Sequence, residues 1–176
     1  MKILPKQIGT KEGKILFEKA EKVKSFNEAE RIVSLLKDSL DYYGGVGLAA
    51  PQIGISKRVF IVDIQPTKKY PNMEKIGFVP YINPEIKLSL KKNKDIEGCL
   101  SVIYGSLFGE VSRANSLKVK YFNLEGKEIF KEIKNSFHSR VVQHEFDHLE
   151  GKVFLQRMSF SDFPELVWDE EKDIRK

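Results

Sequence analysis

Ile32, Val33, Leu36, Leu40 and Tyr43 fall on one stripe of a helix, with charged residues opposite. Ser25-Phe26-Asn27-Glu28 has the pattern of a capping box, serine at the cap and glutamate three residues on. Gly44-Gly45 closes the stripe, because glycine tolerates a left-handed C-terminal turn. Val59-Phe60-Ile61-Val62 is an unbroken apolar run, which predicts a strand buried on both faces. A second strand is expected around Phe78–Ile82, stopped by Pro84. In residues 116–134, Leu117, Val119 and Tyr121 alternate with Lys118 and Lys120, Glu125-Gly126 supplies a turn, and Ile129 and Ile133 return.

The last long helix is expected from Ser136 to Leu149, closed by Gly151. It carries two apolar faces. Val142, Phe146, Leu149 and Val153 share one spacing, and Phe137, Val141, His144 and His148 share another. Both histidines thus continue an apolar stripe. Strands followed by a late helix predict an α+β class, with antiparallel or mixed sheets packed around that central helix. Residues 1–24 read as an irregular arm and 159–176 as a short tail of one domain spanning 1–176.

Composition changes little in this picture. The chain has 176 residues, 41% hydrophobic and 31% charged, enough to bury a core. One cysteine excludes a disulfide framework and points to a reducing cytoplasm. The start shows no sustained apolar stretch, so no signal peptide and no membrane span are expected. A net charge of +5 is spread over scattered lysines. The clusters Lys68-Lys69 and Lys91-Lys92-Asn93-Lys94 read as solvated loops without interleaved aromatics, so direct nucleic-acid specificity is not expected.

The chemistry sits in three segments. His144-Glu145-Phe146-Asp147-His148 puts two imidazoles at i and i+4 on one helical face, the spacing of a metal pair with a glutamate beside it as base. His138 lies about 120° around the helix from His144 and reads as packing or surface. Cys99, in Glu97-Gly98-Cys99-Leu100-Ser101, can supply a third ligand and leave one position open. Glu97 is either a structural ion pair or a partner orienting an imidazole N–H, and Asp147 carries a similar ambiguity with a solvated carboxylate as the alternative. In Gly45-Val46-Gly47-Leu48-Ala49-Ala50-Pro51-Gln52, Gly47 can expose backbone to an extended peptide, and the Gln52 amide can donate to a developing oxyanion.

Together these segments resemble the peptide deformylase family, whose pattern is Gly-φ-Gly-φ-Ala-Ala-x-Gln, Glu-Gly-Cys-φ-Ser and Gln-His-Glu-φ-Asp-His, with φ apolar. Gly45 to Gln52, Glu97 to Ser101 and Gln143 to His148 match every specified position, in order. Gly109-Glu110-Val111-Ser112-Arg113 is similar to the family's Gly-x-Val-x-Arg stretch. The resemblance implies Cys99, His144 and His148 as metal ligands, Glu145 as catalytic acid–base, and Gln52 with the Leu100 N–H facing the formyl oxygen. It implies Fe2+, with Zn2+, Ni2+ or Co2+ able to substitute, and a substrate that is the N-formylmethionyl nascent peptide. Gly45, Val46, Gly47, Phe137 and Val141 are then the substrate-binding candidates, and Glu97, Arg113 and Asp147 support the ligands. A cytoplasmic monomer is expected, and the resemblance leaves room for transient association with the ribosome.

The chain also departs from the family. After Ser101 the family commonly has Val-Pro, whereas this chain has Val102-Ile103-Tyr104 beside the substrate groove. Phe17 stands where arginine is usual, and the tail does not read as a long helix. Two other readings compete. A zinc endopeptidase would take its third ligand from Glu165, Asp169 or Glu170. A non-catalytic peptide binder would keep the pocket and lose the base, which Glu145 argues against.

Overall fold

The apolar run at 59–62 forms the middle of the larger of two sheets, and Val59, Phe60, Ile61 and Val62 are all fully buried. The computed structural model describes residues 1–66, 74–158 and the backbone of 167–168. In chain order the strands are β1 (Gly47–Ala49), β2 (Val59–Ile64), β3 (Gly77–Leu88), β4 (Lys92–Gly98), β5 (Leu107–Ala114), β6 (Leu117–Phe122), β7 (Glu128–Ile133) and β8 (Val167–Trp168); the helices are α1 (Phe26–Tyr43) and α2 (Ser136–Leu149). One sheet has the order β1-β2-β3-β6-β7 and the other β4-β5-β8, with every named pair antiparallel.

The two faces of the larger sheet explain the two helices. Val33, Leu36 and Leu40 of α1 join Leu48, Ile61 and Ile82 in one apolar cluster. On the other face Phe60, Val62, Tyr81, Val119 and Tyr121 meet Val141, Val142 and Leu149 of α2. The opposite side of α2 is pinned to β5: Ser139 Oγ donates to Ala114 O at 2.8 Å, and Gln143 Oε1 accepts from Ala114 N–H at 3.0 Å. A helix held between two sheets needs two apolar faces, which is what its sequence carries. Asn135 caps α2, its side chain accepting from His138 N–H at 2.8 Å.

Several local expectations are corrected. Ser25 occupies the N-cap of α1 without a side-chain cap hydrogen bond. Glu28 approaches Lys57 at 3.8 Å, an alternative partner for the carboxylate of the expected capping box. Pro84 does not stop β3. The register shifts between Ile82 and Glu85, where a residue without an N–H is accommodated at a bulge beside Asn83 at φ 49°. Lys92 and Lys94 lie in β4, which pairs with β5 from Lys92↔Ala114 to Gly98↔Phe108. Charged side chains on an exposed strand hide its periodicity. Residues 1–24 contain a 3-10 turn at Glu12–Phe17 and an isolated bridge from Glu21 to Lys57. Lys68-Lys69 and the helical character of the tail lie outside the described residues, as do Glu165, Asp169 and Glu170. No helix among the described residues is long and apolar enough to cross a membrane.

His138 is buried against Tyr81, with its Nε2 3.2 Å from the Tyr81 hydroxyl. Burial, with the Lys131 charge adding to it, pushes this imidazole down to about 4. The unfolded chain therefore binds this proton at higher pH than the folded one. Its contribution is complete above about pH 6.5 and lost as pH falls toward 4, by at most about 3 kcal/mol. Unfolding free energies across that window are expected to show a shallower acid limb in His138→Gln. An unchanged slope would reject the assignment.

Candidate active site

Helix α2 carries His144 and His148 inward between the sheets, with His148 fully buried. The end of β4 brings Glu97, Gly98 and Cys99 to the same place. Gly98 is dictated by contact: a Cβ there would lie 2.6 Å from the Phe108 ring. Ligand atoms of Cys99, His144 and His148 all lie within 4.8 Å of one another. Cys99 Sγ is 3.3 Å from His148 Nε2.

The tautomer of His144 follows from its neighbour. Its Nδ1 is 2.9 Å from Glu97 Oε2. Burial would push the Glu97 carboxyl up, but hydrogen bonds and charge from His144 and Arg113 hold it well below the ordinary carboxylate range. Against an ionised acceptor Nδ1 carries the proton, which leaves the Nε2 lone pair for a cation. A thiolate and two imidazoles suit a borderline-soft divalent ion. Oε2 of the neighbouring Glu145 is buried and has no hydrogen-bond partner among the described residues, as an oxygen reserved for water or substrate would be. The residues therefore fit a metal ion.

Beneath the ligands lies a buried ion network. Arg113 Nε and Nη2 donate to the two Glu97 oxygens at 2.9 Å each, and Nη1 binds Asp147. Arg140 Nη1 donates to Glu97 Oε1 at 2.8 Å and to Val111 O at 2.7 Å. Arg157 reaches Asp147 from the partly exposed side, its Nε 3.0 Å from Oδ2. Glu97 is thus both an ion pair and the partner of an imidazole. Asp147 is buried, so the solvated alternative is set aside.

A cavity of about 380 Å³ opens beside the ligands. Gly45, Val46, Gly47, Phe137 and Val141 line it together with Gln52, Glu97, Cys99, Leu100, His144 and Glu145. Gln52 is fixed by its Oε1, which accepts from Ala49 N–H at 2.8 Å, so its amide N–H group turns toward Ser101 Oγ at 3.3 Å and Cys99 Sγ at 3.5 Å. Burial pushes the Glu145 carboxyl up to about 7 against the opposing charge of His144. Gly47 touches this group directly: a Cβ at Gly47 would lie 2.7 Å from Glu145 Oε1 and 2.9 Å from its Cγ. Gly47→Ala is expected to displace the carboxylate and cut turnover at least about tenfold, since misplacement of a reacting group is costly, with a stability loss of about 1–3 kcal/mol from the crowding. Parental turnover would show that Glu145 has room to yield.

Residues 5–163 match the family model for polypeptide deformylase. The peptide deformylase of Desulforudis audaxviator is 44% identical over 145 residues, covering 81% of this chain and 86% of that protein. Peptide deformylase 1 of Bacillus subtilis is 37% identical over 155 residues, covering 88% and 90%. The crystal structure of the class I type b peptide deformylase from Acinetobacter baumannii with Met-Ala-Ser bound superposes with a TM-score of 0.82 at 35% identity, covering 90% of this chain and 99% of that one. The deformylase of Thermotoga maritima gives 0.78 at 34% identity, with the same coverage. The chain belongs to the peptide deformylase family. Deformylases are metal-dependent hydrolases that remove the N-formyl group from nascent peptides, and this is the activity of the chain.

Tyr104 lines the cavity, as expected for the loop beside the groove, whereas deformylase-type spacing does not by itself single out Arg140 or Phe108. Arg140 stands one helical turn before His144, a spacing that places it on the histidine face. Tyr104 joins the cavity wall from the turn after Ser101, and Phe108 joins it from the start of β5, a strand that the sequence pattern does not place.

Proposed function

We propose that Cys99, His144 and His148 hold the catalytic metal and that Glu145, Gln52 and the Leu100 N–H carry the deformylation of N-formylmethionyl peptides. The observation supporting this most directly is the unpartnered Glu145 oxygen beside three convergent ligand atoms. A bound divalent ion supplies Lewis acidity and water activated near neutral pH. Glu145 accepts a proton from the attacking water. As the formyl carbon becomes tetrahedral, the Gln52 amide and the Leu100 N–H donate to the oxyanion. The C–N bond then breaks, Glu145 returns the proton to the leaving amine, and formate departs.

Val46, Phe137 and Val141 receive the methionine side chain, and the backbone of Gly45–Gly47, leading into edge strand β1, aligns the peptide. The Met-Ala-Ser held by the Acinetobacter deformylase begins with methionine, the side chain assigned here to this pocket. We assign Fe2+ as the resident ion, with Zn2+, Ni2+ or Co2+ able to replace it. Zinc binds such donors more tightly at equilibrium, so iron occupancy depends on supply. Because its substrate arises at the ribosome, we assign the enzyme to the cytoplasm in transient contact with ribosomes, and we read it as a one-domain monomer.

The deciding experiment measures formate release from formyl-Met-Ala-Ser by anaerobically prepared protein, with metal content determined on the same sample. Turnover that tracks metal content is expected, and no formate from fully loaded protein would overturn the reading. Gln52→Ala should cost about 3 kcal/mol of transition-state stabilisation. An unchanged kcat/KM would remove Gln52 from the oxyanion site.

A further inference from the structure

The loop after Ser101 is held in an uncommon backbone conformation. Ile103 and Tyr104 have φ of 45° and 53°, and Gly105 follows at 83°. Left-handed backbone costs an L-residue about 1–2 kcal/mol, and it is least tolerable for a β-branched residue such as Ile103. Turn hydrogen bonds from Gly105 N–H to Val102 O and from Ser106 N–H to Ile103 O close the segment locally. They leave the Tyr104 N–H to be bound from elsewhere. Its partner comes from the amino-terminal arm: Gln7 Oε1 accepts from Tyr104 N–H at 2.9 Å.

Gln7 is itself buried, and the other end of its amide is equally engaged. Nε2 donates to Leu100 O at 2.8 Å and to Pro5 O at 2.9 Å. The flanking backbone runs between the same two segments. Lys6 N–H donates to Gln52 O at 2.7 Å, and Ile8 N–H donates to Ser101 O at 3.0 Å. The arm from Pro5 to Ile8 is thus a strap joining Gln52, Leu100–Ser101 and the Tyr104 turn. Two of those residues are the proposed oxyanion donors, and Tyr104 lines the cavity.

We propose that Gln7 is a positioning residue for deformylation: its single amide holds the Leu100 peptide and the left-handed Tyr104 turn together, and so fixes both an oxyanion donor and the cavity wall. The Leu100 half rests on the function proposed above; the Tyr104 half does not. A reacting site needs its donors held to a fraction of an ångström, and a buried amide with three satisfied hydrogen bonds supplies that rigidity. The strap also explains how a turn containing Ile103 keeps a conformation normally left to glycine, since strained backbone persists only where its surroundings over-determine it.

The test uses metal-loaded enzyme and Gln7→Met, which keeps the side-chain length and removes all three hydrogen bonds. Hydrogen exchange is read at the Tyr104 amide, and kinetics are read with formyl-Met amide and formyl-Met-Ala-Ser. Protection at Tyr104 should fall at least about fivefold relative to α2 amides, and kcat on formyl-Met amide should fall about five- to tenfold, the worth of a hydrogen bond or slightly more. KM for the tripeptide should rise in addition. Adding Ile103→Gly should recover at least half of that KM change, because glycine takes the left-handed turn without Gln7. A general loss of stability would not produce this split or this rescue.

Unchanged Tyr104 protection, or kinetics within twofold of the parent at full metal content, would overturn the proposal. If Gln7→Met does not accumulate as folded enzyme, Gln7→Glu carries the test. It keeps the acceptor for Tyr104 N–H and loses the donors to Leu100 O, so it should retain Tyr104 protection and lose kcat; the reverse pattern overturns the proposal. Parent enzyme that releases no formate would instead fail the function reading, and the exchange measurement would still decide whether Gln7 holds the turn.

Discussion

Glu145→Gln is expected to keep its full complement of metal and to lose at least about a hundredfold in kcat, with losses toward ten-thousandfold within the usual worth of general acid–base catalysis. The substitution preserves volume in a side chain that is 4% exposed, so packing against Gly47 is maintained. What disappears is the capacity to accept a proton at an oxygen that no described protein group occupies. Metal content should not change, because the proposed ligand atoms belong to Cys99, His144 and His148. KM should move little, since the carboxylate is used mainly in the transition state. Stopped-time formate assays alongside metal analysis of the same preparation check this. Near-parental kcat would remove Glu145 from the proton transfers and leave the site without an identified base.

Arg113→Met should be the most damaging change to stability, about 3–5 kcal/mol by urea unfolding. Arg113 is 4% exposed and serves two buried carboxylates at once, Glu97 and Asp147. Removing it strands charge that water cannot reach. Glu97 retains Arg140 and His144, but Asp147 is left, among the described residues, with the ion pair to Arg157 alone, whose side chain is 41% exposed. Arg157→Ala is a fair control because it breaks an ion pair partly in solvent, worth about 1 kcal/mol or less. The ordering of the two variants is the critical comparison. Equal losses would mean that the buried network is not what stabilises the junction of β4, β5 and α2. Metal affinity should fall with Arg113→Met too, since Glu97 loses the group that aims it at His144 Nδ1.

Legibility of the chain in sequence followed the strength of local periodicity. Helix α1, strand β2, the β6–β7 hairpin and α2 could be placed because burial on one or two faces writes a regular apolar spacing. Strand β4 could not. Its residues Lys92, Lys94, Asp95 and Ile96 are exposed, and what defines it is pairing with β5, a partner that no local pattern announces. Pro84 was expected to end a strand and instead sits at a register shift, a tertiary accommodation. Ser25 had the composition of a cap, but no side-chain cap bond forms.

The site divides similarly. Histidine spacing, the lone cysteine and the glycine-flanked amide were visible because their chemistry is encoded within a few residues. The Arg113–Glu97–Arg140 cluster depends on three segments meeting in space, so sequence offered two plausible states for Glu97, and the fold realises both. Gln7 carried no signal at all, since a glutamine in an irregular arm looks like ordinary surface until the arm is seen to run across the oxyanion segments.

Cys99 precedes His148 by 49 positions. During synthesis the thiol emerges first and must wait for the histidine helix before any cation can be gripped by all three donors. Metal capture by the proposed three ligands therefore follows emergence of the final histidine. In the interval the fold that buries this sulfur is incomplete, and an unenclosed thiol is open to oxidants and to competing soft ions. Cellular thiol balance during translation should consequently influence how much active enzyme is made, independently of how much polypeptide is produced.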